Sequence, residues 1–209
     1  MRDYLRDPAE IYRQSFATIR AMTDLSGLPA SAHGIAERVI HSCGMTDVVA
    51  DLRISEGLES AVARALKQRK PIFTDSEMVR HGIIARLLPP GIEVVCTLND
   101  GRARELGLAR RITRSAAAVS LWLPQIEGAV AVIGNAPTAL FALLEALDAG
   151  GGRPAAIVGF PVGFIGAEES KAELAENPRG VPFATLLGRR GGSAMACAVI
   201  NAVTAEMVA

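Results

Sequence analysis

The chain has 209 residues, 50% of them hydrophobic, enough for one sizeable domain with a filled core. Lys and Arg total 22 and Asp and Glu total 22, so no net field recruits nucleic acid or an anionic membrane surface. The three cysteines are scattered without a C-x-x-C pair, which argues against a disulfide framework or a zinc site, and the apolar runs break well short of the roughly 20 residues a membrane span needs. The opening MRDYLRDPAEIYR is charged throughout and is no secretory signal, so a soluble, cytoplasmic protein is expected.

Residues 8–22, PAEIYRQSFATIRAM, read as a helix opened by Pro8, with Ile11, Phe16, Ile19 and Met22 as its apolar side. Ser15 stands four residues from both Ile11 and Ile19 and is expected to face inward with them. Such a serine either bonds its own helix carbonyl or serves a site. Residues 31–44, SAHGIAERVIHSCG, read as a second helix, with Ser31 as its N-cap and Gly44 just past its end. Gly34, Arg38 and His41 fall along one stripe of it. A glycine, a cation and an imidazole make a poor core stripe but a reasonable wall for an anionic ligand. The helix C-terminal dipole favours a charged His41, while Arg38 and burial oppose it, a balance that suits proton transfer in either direction. The alternative is a histidine that merely bonds a carbonyl.

MTDVVADLRIS is ambiguous between a short helix and an extended segment, and 56–70 is an amphipathic helix. From there strand and helix alternate. Strands are expected at 71–75, 92–98, 128–134, 154–160 and 181–187. A helix is expected through Met78 to Leu87, and further ones in NDGRARELGLA, at 113–123, in ALFALLEAL, in AEESKAELAE and along RRGGSAMACAVINAVTAEM. Apolar, unalternating strands between helices predict a three-layer α/β/α domain over 1–209. Its sheet would be mainly parallel, of about five strands, preceded by two N-terminal helices.

Ligands of such sheets sit where strands feed helix N-termini, here in TDSEM, TLNDG, GNAPT, GFPVGFIGAEES and GGSAM. The GNAPT amides would receive a carboxylate or phosphate, or form an ordinary turn. No Walker loop, G-x-G-x-x-G or G-x-S-x-G occurs. His33 and His81 have no carboxylate at metal spacing and read as structural or solvated. Arg114 stands out from the arginines at 102–114 because it opens a helix, beside free amides.

ITRSAAA at 112–118, GNAPTALF at 134–141, PVGFIGAEESK at 161–171, GVPFATLLGR at 180–189 and GGSAMA at 191–196 together resemble the precorrin-8X methylmutase family. IYRQSFATIR and VIHSCG fit the same family, and the match runs from about residue 4 to residue 203. The resemblance implies a homodimeric isomerase of cobalamin biosynthesis that takes a tetrapyrrole substrate to a corrinoid product. It would move a methyl group from ring carbon 11 to ring carbon 12 of precorrin-8X, giving hydrogenobyrinate, with no dissociable cofactor and no metal ligands. It places the proton-transferring histidine on His41, substrate-binding residues on Ser15 and Arg38, and a further pocket arginine on Arg114. A corrinoid carrier without chemistry and a nucleotide-dependent enzyme are the competing readings; the missing glycine fingerprint speaks against the second.

Overall fold

A computed structural model describes residues 2 and 4–208. The sheet is built from β1 (Leu52–Ile54), β2 (Ile72–Thr74), β3 (Val94–Cys96), β4 (Val130–Ile133), β5 (Ala156–Gly159) and β6 (Phe183–Leu186), in the order β1-β6-β5-β4-β2-β3. β2 to β6 are parallel. β1 is the exception, pairing antiparallel with β6 through Arg53 opposite Thr185. It makes six strands where about five were expected. The segment was ambiguous because Thr46–Asp51 forms a 3₁₀ turn and only three extended residues follow it. Arg53 is exposed on this edge, and its Nη1 donates to the Ala50 and Leu52 carbonyls, each at 2.9 Å.

The helices are α1 (Pro8–Met22), α2 (His33–Cys43), α3 (Leu58–Lys67), α4 (Glu77–Gly82), α5 (Gly101–Arg110), α6 (Arg114–Ser120), α7 (Pro137–Asp148), α8 (Ala167–Glu176) and α9 (Ser193–Val208). Side chains alternate across each strand, so the sheet feeds two cores. Ile72, Val130, Val132, Val158 and Ala184 face one core with α2, α3 and α9. Phe73, Ala131, Ile133, Ile157 and Phe183 face the other with α6, α7 and α8. Within the second core, Trp122 is fully buried and stacks on Phe73 at 5.7 Å. Its Nε1 donates to Thr97 Oγ1 at 2.9 Å.

Capping explains the helix bounds. Asp7 accepts from Glu10 N at 2.7 Å and Pro8 occupies the first turn, so α1 starts where expected. Of its expected apolar side only Phe16 and Ile19 are buried, while Ile11 and Met22 are 45% and 64% exposed. α1 rests chiefly on α2, and a single neighbour covers a narrow stripe. Ser31 does not cap α2: it lies in a 3₁₀ turn, Ala30–Ala32, and the helix begins at His33. Gly44 does end it, in the left-handed conformation at φ 69°. The expected helix through Leu87 stops at Gly82. Asn201 of α9 captures the exit, accepting from Ile84 N at 2.9 Å and donating to Gly82 O at 3.0 Å.

Lys171 on α8 is fully buried and donates to the Arg190 carbonyl. Burial lowers its ammonium from 10.5 to about 8, against the pull of Glu168 and Asp51. Between those two values the unfolded chain binds more protons than the folded one, so stability rises with pH across that window. Lys171→Met removes this slope. The difference in unfolding free energy between wild type and Lys171→Met should swing toward wild type by up to about 3 kcal/mol from pH 8 to 10.5. A pH-independent difference in parallel denaturant titrations would refute it.

Candidate active site

The stripe expected on α2 forms. Ile35, Ala36, Val39 and Ile40 are buried against the core, which turns Gly34, Arg38 and His41 toward α1 and solvent. α1 answers with its own stripe, Tyr12, Ser15 and Phe16, at i, i+3 and i+4. Ser15 Oγ lies 2.9 Å from His41 Nδ1, so its hydroxyl serves the imidazole and not its own helix. The His41 ring stacks on Phe16 at 5.0 Å with an interplanar angle of 26°. With Ser15 donating, the ring proton sits on Nε2; with the tautomer reversed, Nδ1 donates to Ser15. His41 itself is exposed, contrary to the burial weighed from the sequence.

Arg38 donates to the Tyr12 hydroxyl, with its guanidinium carbon 5.8 Å from the centres of the Tyr12 and Phe16 rings. The neighbouring Arg20 is spent on Glu37 through two bonds of 2.8 Å. Two hollows flank this α1–α2 seam. One, of about 490 Å³, is lined by Tyr12, Phe16, Arg38 and, from α9, Ala202 and Glu206. The other, of about 330 Å³, is lined by Ser15, Thr18, Met22 and His41. Burial and the adjacent Glu59 push the Glu206 carboxyl up, while Arg38 pulls it back. Gly34 makes room for this carboxyl, since a Cβ there would lie 2.5 Å from Glu206 Oε1.

Ser15, Arg38 and His41 are thus brought together, but Arg114 is not. It is the first residue of α6, whose buried side joins the other core, and it lines neither hollow. His33 Nε2 sits 3.3 Å from the Leu28 carbonyl, and His81 is exposed. Among the described residues no group of three His, Cys, Asp or Glu side chains is placed to hold a metal ion, and no helix is long and apolar enough to cross a membrane.

The GNAPT turn holds a surprise. β2 leads to β3 on one side while β4 leads to β5 and β6 on the other, so the strand order reverses between β2 and β4. Ligands of open α/β sheets bind in that crevice. Here Asp75, buried just after β2, fills it: Oδ1 accepts from Gly134 N at 2.9 Å, and Oδ2 from Asn135 N at 2.9 Å and Ala136 N at 2.7 Å. The carboxylate expected at these amides is the protein's own. Sequence reading marked the TDSEM and GNAPT turns without pairing them. It also passed over Tyr12 and took Phe16 only for part of the apolar side of its helix, although their spacing from Ser15 was a usable signal.

A doubly covered, mainly parallel sheet with an imidazole and a guanidinium along one open seam is the build of an α/β enzyme. Residues 10–206 match the family model for precorrin-8X methylmutase. The precorrin-8X methylmutase of Pseudomonas aeruginosa is 54% identical over 206 residues, covering 99% of each chain. That of a Sinorhizobium species is 50% identical over 201 residues, covering 96% of each. A solved structure of precorrin-8X methylmutase from Thermus thermophilus superposes with a TM-score of 0.83 at 31% identity, over 94% of this chain and 95% of that one. The chain belongs to the precorrin-8X methylmutase family. It is an isomerase, a methyl-shifting enzyme of cobalamin biosynthesis.

Proposed function

We propose that the enzyme moves the methyl group on ring carbon 11 of precorrin-8X to ring carbon 12, giving hydrogenobyrinate. The observation that carries this reading is the Ser15–His41 hydrogen bond set beside Arg38 on one seam. The shift breaks one carbon–carbon bond and forms another within the macrocycle, so substrate and product have the same atoms. Little charge develops, and the protein's task is to hold the ring in shape and select the reactive tautomer. Ser15 orients His41 so that the far ring nitrogen faces the macrocycle; the proton given there is taken back as the double bonds rearrange. Arg38, already held beside two aromatic rings and bonded to the Tyr12 hydroxyl, pairs with a peripheral carboxylate.

We place Arg114 on a second copy of the chain, in a homodimer whose sites lie near the subunit contact. Two features support this. Arg114 belongs to the opposite layer from His41, and Phe164 and Ile165, in the loop after β5, are 86% and 90% exposed. The substrate is taken to be the metal-free form, because the two bacterial relatives are named for precorrin-8X, with no cobalt in the name.

Methyl migration changes the conjugated system, so conversion is read as a change in the visible spectrum. Purified enzyme incubated with metal-free precorrin-8X should convert many equivalents. Binding without conversion would favour a carrier, turnover of the cobalt form alone would move the substrate assignment, and no binding would undo the reading.

A further inference from the structure

Among the described residues Asp75 is the one fully buried carboxylate given to three consecutive backbone amides, and the seam chemistry makes no use of it. Successive N–H groups at a strand-to-helix turn make a concavity that takes an anion. Burial pushes the Asp75 carboxyl above the ordinary carboxylate range, against the opposing pull of the three amides. The turn packs closely on α9 and α4: a Cβ on Gly134 would lie 2.8 Å from Ser193 Cα and Val79 Cγ2.

A short chain of bonds leads from this socket to Arg114. Ala136, which donates to Asp75, is the N-cap of α7. Two residues on, in the first turn of α7, Thr138 Oγ1 lies 2.7 Å from Thr113 Oγ1. Thr113 is the N-cap of α6 and accepts from Ala116 N at 3.1 Å, with Arg114 the next residue. Displacing the start of α7 therefore displaces the start of α6.

We propose that Asp75 is a positioning residue, a built-in anion that occupies the crevice where this fold class takes a ligand and, through α7, Thr138 and Thr113, aims the Arg114 guanidinium at a substrate carboxylate. This rests on the substrate-binding role given to Arg114 above.

The test is spectral titration of hydrogenobyrinate onto the full chain, for wild type, Asp75→Ala, Arg114→Ala and the double variant. Asp75→Ala should weaken binding about tenfold, and the loss should vanish in the Arg114→Ala background, because the two residues act through one contact. Formate, which fits the vacated socket, should restore affinity to Asp75→Ala and leave Arg114→Ala unchanged. If the two single losses multiply in the double variant, or Asp75→Ala binds like wild type, Asp75 does not act through Arg114. Unchanged affinity in Arg114→Ala alone would overturn the role of Arg114, and this inference with it. Should Asp75→Ala not fold, Asp75→Asn keeps the shape but turns an amide N–H against a backbone N–H, and should show a smaller loss with the same dependence on Arg114. A loss independent of Arg114 there overturns the inference equally.

Discussion

Replacing His41 with alanine should lower turnover of precorrin-8X by about 10²–10⁴-fold while hydrogenobyrinate still binds. The separation follows from geometry. In the proposed site a large polycarboxylate is held by Arg38, the rings beside it and the hollow that α9 helps to wall, all of which survive the substitution; only the second hollow loses a wall. The proposed proton transfer rests on one imidazole, and among the side chains around its hollow no second base is present. The fold should be little disturbed, because His41 is exposed and only covers the outer side of Phe16. Single-turnover spectra and product titration on the same sample check both halves. Wild-type-like turnover would remove the proposed role of His41; loss of product binding would recast it as a binding residue.

Trp122→Ala should be the most destabilising side-chain truncation in the core outside the α1–α2 seam, by about 3–5 kcal/mol. The indole is fully buried, packs flat on Phe73 under β2 and donates to Thr97. Thr97 Oγ1 also donates to the Ala118 carbonyl at 3.0 Å, so one hydroxyl ties the strand end of β3, α6 and the indole together. Truncation opens a cavity between elements that cannot collapse, because the alanines of α6 have no reach. A native stability of about 5–15 kcal/mol leaves little margin for such a loss. The denaturant midpoint, followed by circular dichroism because Trp122 is the sole tryptophan, should fall sharply, and Trp122→Phe should recover part of it. A cost below about 1 kcal/mol would mean the site repacks.

What the chain discloses about itself depends on how local the cause is. The bounds of α1 were legible because Asp7, Pro8 and a helical period all lie within it. The parallel strands were legible because each is apolar on both faces. The end of α4 was not, since Asn201 that stops it is more than a hundred residues away. β1 escaped because a three-residue edge strand with one outward arginine has no period to detect. Within the candidate site, the stripe of Arg38 and His41 came from spacing alone, whereas Ser15 needed the family resemblance to rise above an ordinary helical serine. Asp75 was hidden for the same reason as Asn201, its donors lying some sixty residues on.

Arg53 has a consequence for how copies of this protein can meet. A sheet edge offers a row of free carbonyls and amides to any extended chain that drifts past. By folding its guanidinium back over the Ala50 and Leu52 carbonyls, Arg53 takes those acceptors out of reach, and the strand it guards is only three residues long. Growth of the sheet from one molecule into the next is thereby discouraged at this border. At this edge association is left to side-chain surfaces, which can close on themselves as a pair where strand addition would run on into fibres.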